Sequence, residues 1–394
     1  MISEKMLKVA QSSSVIRAMF EEGKQMAAEF GAENVYDFSL GNPSVPAPAA
    51  VNKAAVDILQ NEDNLLLHGY MSNAGYEDVR QAVADSLNRR FGTAYGVANV
   101  LMTVGAAGGL NIIFKVLLNP GDEVIVFAPY FSEYNNYIGN YDGKVVVIPA
   151  NTDTFQPDIE KLAEAITPRT RAVLVNTPNN PSGAVYSAET LAAMASVLQE
   201  KSRAFGEPIY LISDEPYREL AYDGVEVPWI PNLYANTVVC YSWSKSLSLP
   251  GERIGYLLMP SEMDDAELIQ MAAGVAGRVL GFVNAPSLMQ RVVARCLDEQ
   301  TDLEAYAANR KLLYDGLTAM GYDCVYPAGA FYLFMKAPED EAAFVQRAKK
   351  HHILLVPATG FACPGYVRIA YCVSPDTIRR SMPAFKALAE EVGL

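Results

Sequence analysis

The 394-residue chain carries 31 basic against 45 acidic side chains, a net charge of −14, with 51% hydrophobic and 19% charged residues. That length exceeds what one hydrophobic core usually serves, so two domains are expected, and the apolar share belongs to a packed globular enzyme rather than a disordered chain. The negative field excludes nucleic acid and anionic membrane as natural partners, so an anionic ligand has to be met by locally placed cations.

The opening segment, MISEKMLKVAQSSS, mixes charges where a secretory signal needs an apolar run. The weakly charged stretch MAAGVAGRVLGFVNAP is interrupted by Arg278 and by glycines, so it does not span a membrane. A cytoplasmic location is expected. SLGNPSVPAP, residues 39–48, reads as a Pro-rich hinge. Short β-branched runs come next: VLMTV (100–104), EVIVFA (123–128), KVVVI (144–148), RAVLV (171–175), IYLIS (209–213) and TVVCYS (237–242). Helical patterns such as 108–118 and 188–205 lie between them. Continuous apolar strands alternating with helices predict a mainly parallel sheet covered on both faces, one α/β domain over residues 46–290. Past it, one long helix is expected over 286–320 with Gly321 as its stop, then short strands in FYLFMK, ILLV and YVRIAYCV and a last helix in SPDTIRRSMPAFKALAEEV. Residues 1–45 and 291–394 thus read as a smaller α+β domain. The five cysteines form no CxxC pair and read as reduced core thiols. Three histidines, His68, His351 and His352, argue against a histidine-rich metal site; no metal is expected.

In an open parallel sheet, ligands sit beyond the C-terminal strand ends. The tails of five of these strands are GAAGG (105–109), PYF (129–131), NTPNNPSG (176–183), DEPY (214–217) and SWSK (242–245), each small, polar or aromatic. Gly105–Gly109 opens a helix straight after a strand and reads either as a phosphate-binding N-terminus or as tight helix–strand packing. Asp214 ends an apolar strand, where a carboxylate needs a cation or strong donors unless the turn is at the surface. Lys245 also comes after an apolar strand; desolvation would lower its pKa and make the amine nucleophilic, as a Schiff base requires. Arg253 offers a fork for phosphate. Phosphate clamp, buried acid and nucleophilic lysine describe a site for pyridoxal phosphate.

With these residues in hand, the chain resembles the class I/II aminotransferases, fold type I pyridoxal-phosphate enzymes, through SLGNPS, YMSNAGYEDVRQAV, TVGAAGGLN, PYFSEY, NNPSG, DEPY, SxSKxxxxPGxRxGY, GAFYLF and YVRIAY in order. The spacing of 34 residues from Asn180 to Asp214 and 31 from Asp214 to Lys245 makes the match specific. The resemblance implies a seven-stranded, mainly parallel sheet in the large domain. It implies that Lys245 forms the Schiff base and moves the α-proton, and that Asp214 pairs with the ring nitrogen. Tyr217 and Asn180 would bond the ring hydroxyl, and Tyr130 would stack on the ring. Phosphate would be held at Gly105, Ala106 and Ala107 by backbone N–H, by Ser242 and Arg253, and by Tyr70 from a second subunit of a homodimer. Arg368 would clamp the substrate α-carboxylate with Asn180 and Gly41. Ser244 reads equally as a further phosphate donor or as a strand-end residue. Ala106 and Ala107 depart from relatives that carry a hydroxyl or lysine there.

The implied reaction is amino transfer from an L-amino acid, aspartate among the candidates, to a 2-oxo acid such as 2-oxoglutarate. Carbon–sulfur β-lyases share the scaffold but commonly carry His where this chain has Pro216. A non-catalytic regulator of this fold would need a longer, basic N-terminal module than residues 1–45 offer. Arg278 reads either as an arginine reaching a partner's site to meet a dicarboxylate or as a solvated charge at a helix end; Arg17 is a weaker rival.

Overall fold

The computed structural model describes residues 2–11 and 15–394, with backbone alone for residues 11, 15–18 and 20. The six apolar runs form strands β1 (Val100–Thr103), β2 (Glu123–Phe127), β3 (Lys144–Ile148), β4 (Thr170–Asn176), β5 (Tyr210–Asp214) and β6 (Thr237–Ser242). A seventh, β7 (Gly255–Leu258), comes after the SWSK segment. They make one sheet in the order β1-β7-β6-β5-β4-β2-β3. All run parallel except β7, which is antiparallel to both β1 and β6.

Successive side chains of a strand point to opposite faces, and both faces here are covered, which is why the strands read as unbroken apolar runs. α1 (Glu77–Phe91), α2 (Gly105–Leu117), α3 (Ala188–Phe205), α4 (Trp243–Ser246), α5 (Ala266–Val279) and α6 (Ser287–Ala294) belong to this layer. Ile212 and Val238 meet Leu110 of α2 and Ala273 of α5, whereas Leu211 packs with Leu191 and Leu198 of α3 on the other side. Tyr241 and Tyr256 face α1 and α6 through Val83, Leu87 and Val292.

A second, antiparallel sheet of β8 (Cys324–Val325), β9 (Tyr332–Lys336), β10 (Val356–Pro357) and β11 (Tyr366–Ala370) has the order β10-β11-β9-β8. α7 (Leu303–Ala319) and α8 (Pro375–Val392) pack with it. The start of the chain returns to this body: Tyr36–Asp37 pairs in parallel with Ile353–Leu354, and Met19 and Phe38 enter the same core as Leu333 and Ile369.

The helix expected over 286–320 is two helices, α6 and α7. Arg295 and Cys296 bond back three residues, to the carbonyls of Val292 and Val293, so the first helix tightens and stops. Asp302 then starts a new one, its Oδ1 accepting the Ala305 N–H at 3.1 Å. Between them the Thr301 N–H donates to the Ser246 carbonyl at 2.7 Å, tying the link to the residue after Lys245. Gly321 ends α7 as expected, at φ +91°. Among the described residues no helix is long and apolar enough to cross a membrane.

Candidate active site

Parallel strands end on one edge of a sheet, and here that edge opens into a cavity of about 430 Å³. All five strand tails reach it: Ala106 and Ala107, Phe131, Asn176 and Asn180, Asp214 and Tyr217, and Ser242, Ser244 and Lys245. Gly41 of the Pro-rich segment 39–48 and Tyr332 and Arg368 of the small sheet close the far wall.

One end is built for an anion. α2 begins at Gly105 with no side-chain cap, so its first N–H groups are free of partners within the helix. Gly105 has φ +79°, and a Cβ there would stand 2.8 Å from Arg253 Nη2, so the guanidinium lies directly over the helix start. Arg253 is itself left-handed at φ 52°, a conformation that costs an L-residue energy and turns its side chain inward, with Nη1 donating to the Pro250 carbonyl at 2.9 Å. The hydroxyls of Ser242 and Ser244, both buried, line the cavity without a hydrogen-bond partner among the described residues.

Asp214 sits at the cavity floor. Its Oδ2 accepts the Tyr134 hydroxyl at 2.6 Å, while Oδ1 is buried with no partner among the described residues. Burial pushes this carboxyl up to about 7, with the Tyr134 bond acting in the opposite sense and the Glu215 charge adding to the rise. The Asn176 amide donates to the Asp214 carbonyl at 2.8 Å, fixing the strand end.

Lys245, on the short helix α4 after β6, points Nζ at the Gly41 carbonyl, 2.8 Å away. Burial pulls its amine down to about 8, and Arg253 and Arg368 add repulsion, with Cys372 acting in the opposite sense. A side chain at position 41 would land on the Tyr332 hydroxyl, so glycine is required where the 39–48 segment meets the lysine.

Arg368 is central in β11, and strand alternation turns it inward between Val367 and Ile369, which enter the core. It is 1% exposed, donates to Asn180 Oδ1 at 3.0 Å and to the Ser39 carbonyl at 2.6 Å, and lies 4.5 Å over the Tyr332 ring. Its Nε has no partner among the described residues. The Tyr217 and Tyr332 hydroxyls meet at 2.9 Å, and burial holds both phenols above the usual range.

Four expected residues do not line this cavity, the first of them Gly105, which sits against Arg253 at the start of α2. Phe131, not Tyr130, lines it: the Tyr130 hydroxyl donates to Asn135 at 3.0 Å and its ring stacks beside Tyr134. Tyr70 is 95% exposed and Arg278 is on the exposed end of α5, so neither reaches the cavity of its own chain. The Arg17 side chain lies outside the described residues. The cavity also holds Tyr134, Tyr137, Asn176 and Tyr332, which sequence reasoning does not single out. Tyr134, Asn176 and Tyr332 stand inside the motifs PYFSEY, NTPNNPSG and GAFYLF, so a signal is present without a reason to choose among neighbours.

The residues fit pyridoxal phosphate. An unpartnered carboxylate oxygen suits a ring N–H, an amine of lowered pKa suits an aldehyde, and helix N–H groups with free hydroxyls and Arg253 suit a phosphate. The model for aminotransferase class I and II matches residues 32–385. The chain is 34% identical over 356 residues to an aspartate/prephenate aminotransferase of Thermus thermophilus, covering 88% of this chain and 89% of that one. Among solved structures, an aminotransferase from Eubacterium rectale superposes with a TM-score of 0.97 at 48% identity, covering 100% of this chain and 99% of that chain. The Thermus thermophilus aspartate aminotransferase with maleate gives 0.87 at 29% identity, covering 98% and 99%. With the strand tails, the lysine and the carboxylate in this arrangement, the chain belongs to the class I and II aminotransferase family and is a transaminase.

Proposed function

We propose that this transaminase uses pyridoxal 5′-phosphate to move an amino group from an L-amino acid to a 2-oxo acid such as 2-oxoglutarate, with aspartate the first donor to test. The observation that carries the reading is the buried, unpartnered Asp214 Oδ1 in the same cavity as the Lys245 amine. When bound, the cofactor supplies an aldehyde to carry the amino group and a cationic ring to accept the electron pair left at the α-carbon. Asp214 holds the proton on the ring nitrogen, and Tyr134 orients Asp214. Arg368 and Asn180 orient the substrate by its α-carboxylate. Lys245 Nζ, free to leave the Gly41 carbonyl, removes and returns the α-proton. Ser242, Ser244, Arg253 and the N–H groups of Ala106 and Ala107 hold the phosphate. Residues 46–290 form the cofactor-binding domain, and residues 1–45 with 291–394 the one that brings Arg368.

The decisive experiment is a half-reaction panel in which each amino acid is added to the cofactor-loaded protein and the visible absorption band is monitored. Loss of the band with release of the matching 2-oxo acid supports the reading. Failure of every donor, or pyruvate from cystathionine instead, overturns it. The lowered Lys245 pKa gives a second expectation. Below about pH 8 the amine is charged and unreactive, so the rate of cofactor uptake by stripped protein rises with an inflection near pH 8, well below the ordinary lysine value. An inflection near 10 contradicts it.

A homodimer is part of the proposal. On α5, Leu268, Met271, Val275 and Val279 recur every three or four residues and all are exposed, as are Leu65, Leu66 and Tyr70. A second copy covering this face would bring Tyr70 and Arg278 toward its partner's cavity. Val275→Asp is therefore expected to give an inactive monomer, read by light scattering and assay; an active monomer sinks the shared site. In one chain Lys245, Arg253 and Arg368 all have roles, leaving a side-chain carboxylate to Arg278. Arg278→Ala should cost aspartate at least about tenfold in kcat/KM and spare alanine, since charge-assisted bonds contribute ~1.5–3 kcal/mol. Equal losses on both donors dispose of that role.

A further inference from the structure

A second cavity, of about 240 Å³, lies on the α1 side of β6, away from the aminotransferase site. Its walls come from α1, from Tyr241, Trp243 and Tyr256, and from residues 297–300 in the link between α6 and α7. Three of its side chains are more than nine-tenths buried and yet leave a polar atom unpaired among the described residues. They are Ser86 Oγ, Trp243 Nε1 and Tyr256 Oη, on residues that are 4%, 4% and 3% exposed. None of the three atoms is sealed into the protein, so each keeps access to the cavity. Donors and acceptors placed in this way are free to pair with a guest that enters the cavity in place of water.

The mouth carries both charges side by side. Arg90 Nη2 donates to the two Glu219 oxygens at 2.7 and 2.9 Å, leaving Nη1 and Nε without a partner among the described residues. Glu219 also accepts the Tyr241 hydroxyl at 3.4 Å. A simple anion would match Arg90 but meet Glu219 and the rim residues Asp298, itself paired with Arg89, and Glu299, and a simple cation would leave Arg90 and the Trp243 N–H unmatched. A zwitterion matches both. Val83, Leu87 and Leu297 line the remaining wall, and the Tyr241 and Tyr256 rings stack at 5.0 Å. We propose that this cavity binds a free amino acid with an apolar side chain: carboxylate on Arg90 and Trp243 Nε1, ammonium on Glu219 and the Tyr256 and Ser86 hydroxyls. The proposal does not depend on the cofactor or the substrate of the other site.

The chain has two tryptophans, and one of them, Trp243, is in the cavity wall. The cofactor-loaded protein carrying Arg368→Ala is first reduced with borohydride, so that neither leucine nor a comparison amine can react at the other site, and is then titrated with L-leucine by calorimetry and by tryptophan emission. Isoamylamine and isocaproate, each lacking one charge, are the comparison ligands. The expected result is saturable leucine binding in the millimolar range or tighter, with neither comparison ligand reproducing it. Tyr256→Phe and Ser86→Ala each weaken it about two- to tenfold, the span of one neutral hydrogen bond, and Arg90→Gln by at least about tenfold. Absence of saturable binding would mean that water alone fills the cavity and overturns the proposal. So does binding that is unchanged in Tyr256→Phe and Ser86→Ala, or equally strong binding of the amine or the acid.

Discussion

Asp214→Asn is expected to lower kcat/KM for transamination about a thousandfold, equivalent to ~4 kcal/mol of transition-state stabilisation, while making the cofactor-free protein more stable above pH 7. The two effects have one cause. Asp214 is buried with one oxygen unpartnered, and its pKa is raised to about 7. Between about pH 4 and pH 7 the folded chain therefore keeps a proton that the unfolded chain has released. Stability falls as pH rises through that window and stays low above it, because an ionised carboxylate without a cation is costly to bury. Asparagine carries no charge in either state and removes this dependence. It also removes the group that would hold the ring nitrogen protonated, which is the catalytic loss. Thermal unfolding of stripped wild-type and variant protein from pH 8 down to pH 5 checks the first half. A gap that closes toward acid supports the account, and one that is constant with pH contradicts it. Steady-state kinetics check the second half, and an active variant would remove Asp214 from the mechanism.

The second large effect belongs to Arg368. Truncation to Ala should reduce kcat/KM for α-amino acids by about thirty- to several thousandfold, the ~2–5 kcal/mol that buried charge pairs lose when one partner goes. Amines without a carboxylate should change by less than about threefold. Lysine should recover only part, because it lacks the planar fork that keeps contact with Asn180 Oδ1 and the Ser39 carbonyl while facing a carboxylate. Arg368 is packed over Tyr332 and Phe361, so retention of the cofactor's absorption band must accompany the assay. A loss shared equally by amines and amino acids would mean a structural role.

Much of the fold is readable along the chain. A strand buried on both faces announces itself as a β-branched run, and the six runs from Val100 to Ser242 all become strands of one sheet. β7 is harder, because Gly255–Leu258 is a four-residue strand after an irregular turn. The helix break at 295–302 is marked in the sequence only by the polar run 298–302, which the solvated face of a continuous helix could also carry; Asp302 as a cap and the Thr301 bond to Ser246 decide it.

The order of residues alone determines that a lysine, an acid, small helix-opening residues and an asparagine each come after a strand, and parallel pairing carries such tails to one edge whatever the details. That is a local property, legible without coordinates. Which side chain of a tail turns inward is not local. Phe131 faces the cavity and Tyr130 does not, because the Tyr130 ring is taken up by Asn135 and Tyr134. The open Oδ1 of Asp214, the approach of Gly41 to Lys245, and the entry of Arg368 from the second sheet depend on packing between segments far apart in the chain. Only the tertiary structure decides these, since pairing and exposure of a buried polar atom are set by everything around it rather than by its neighbours in sequence.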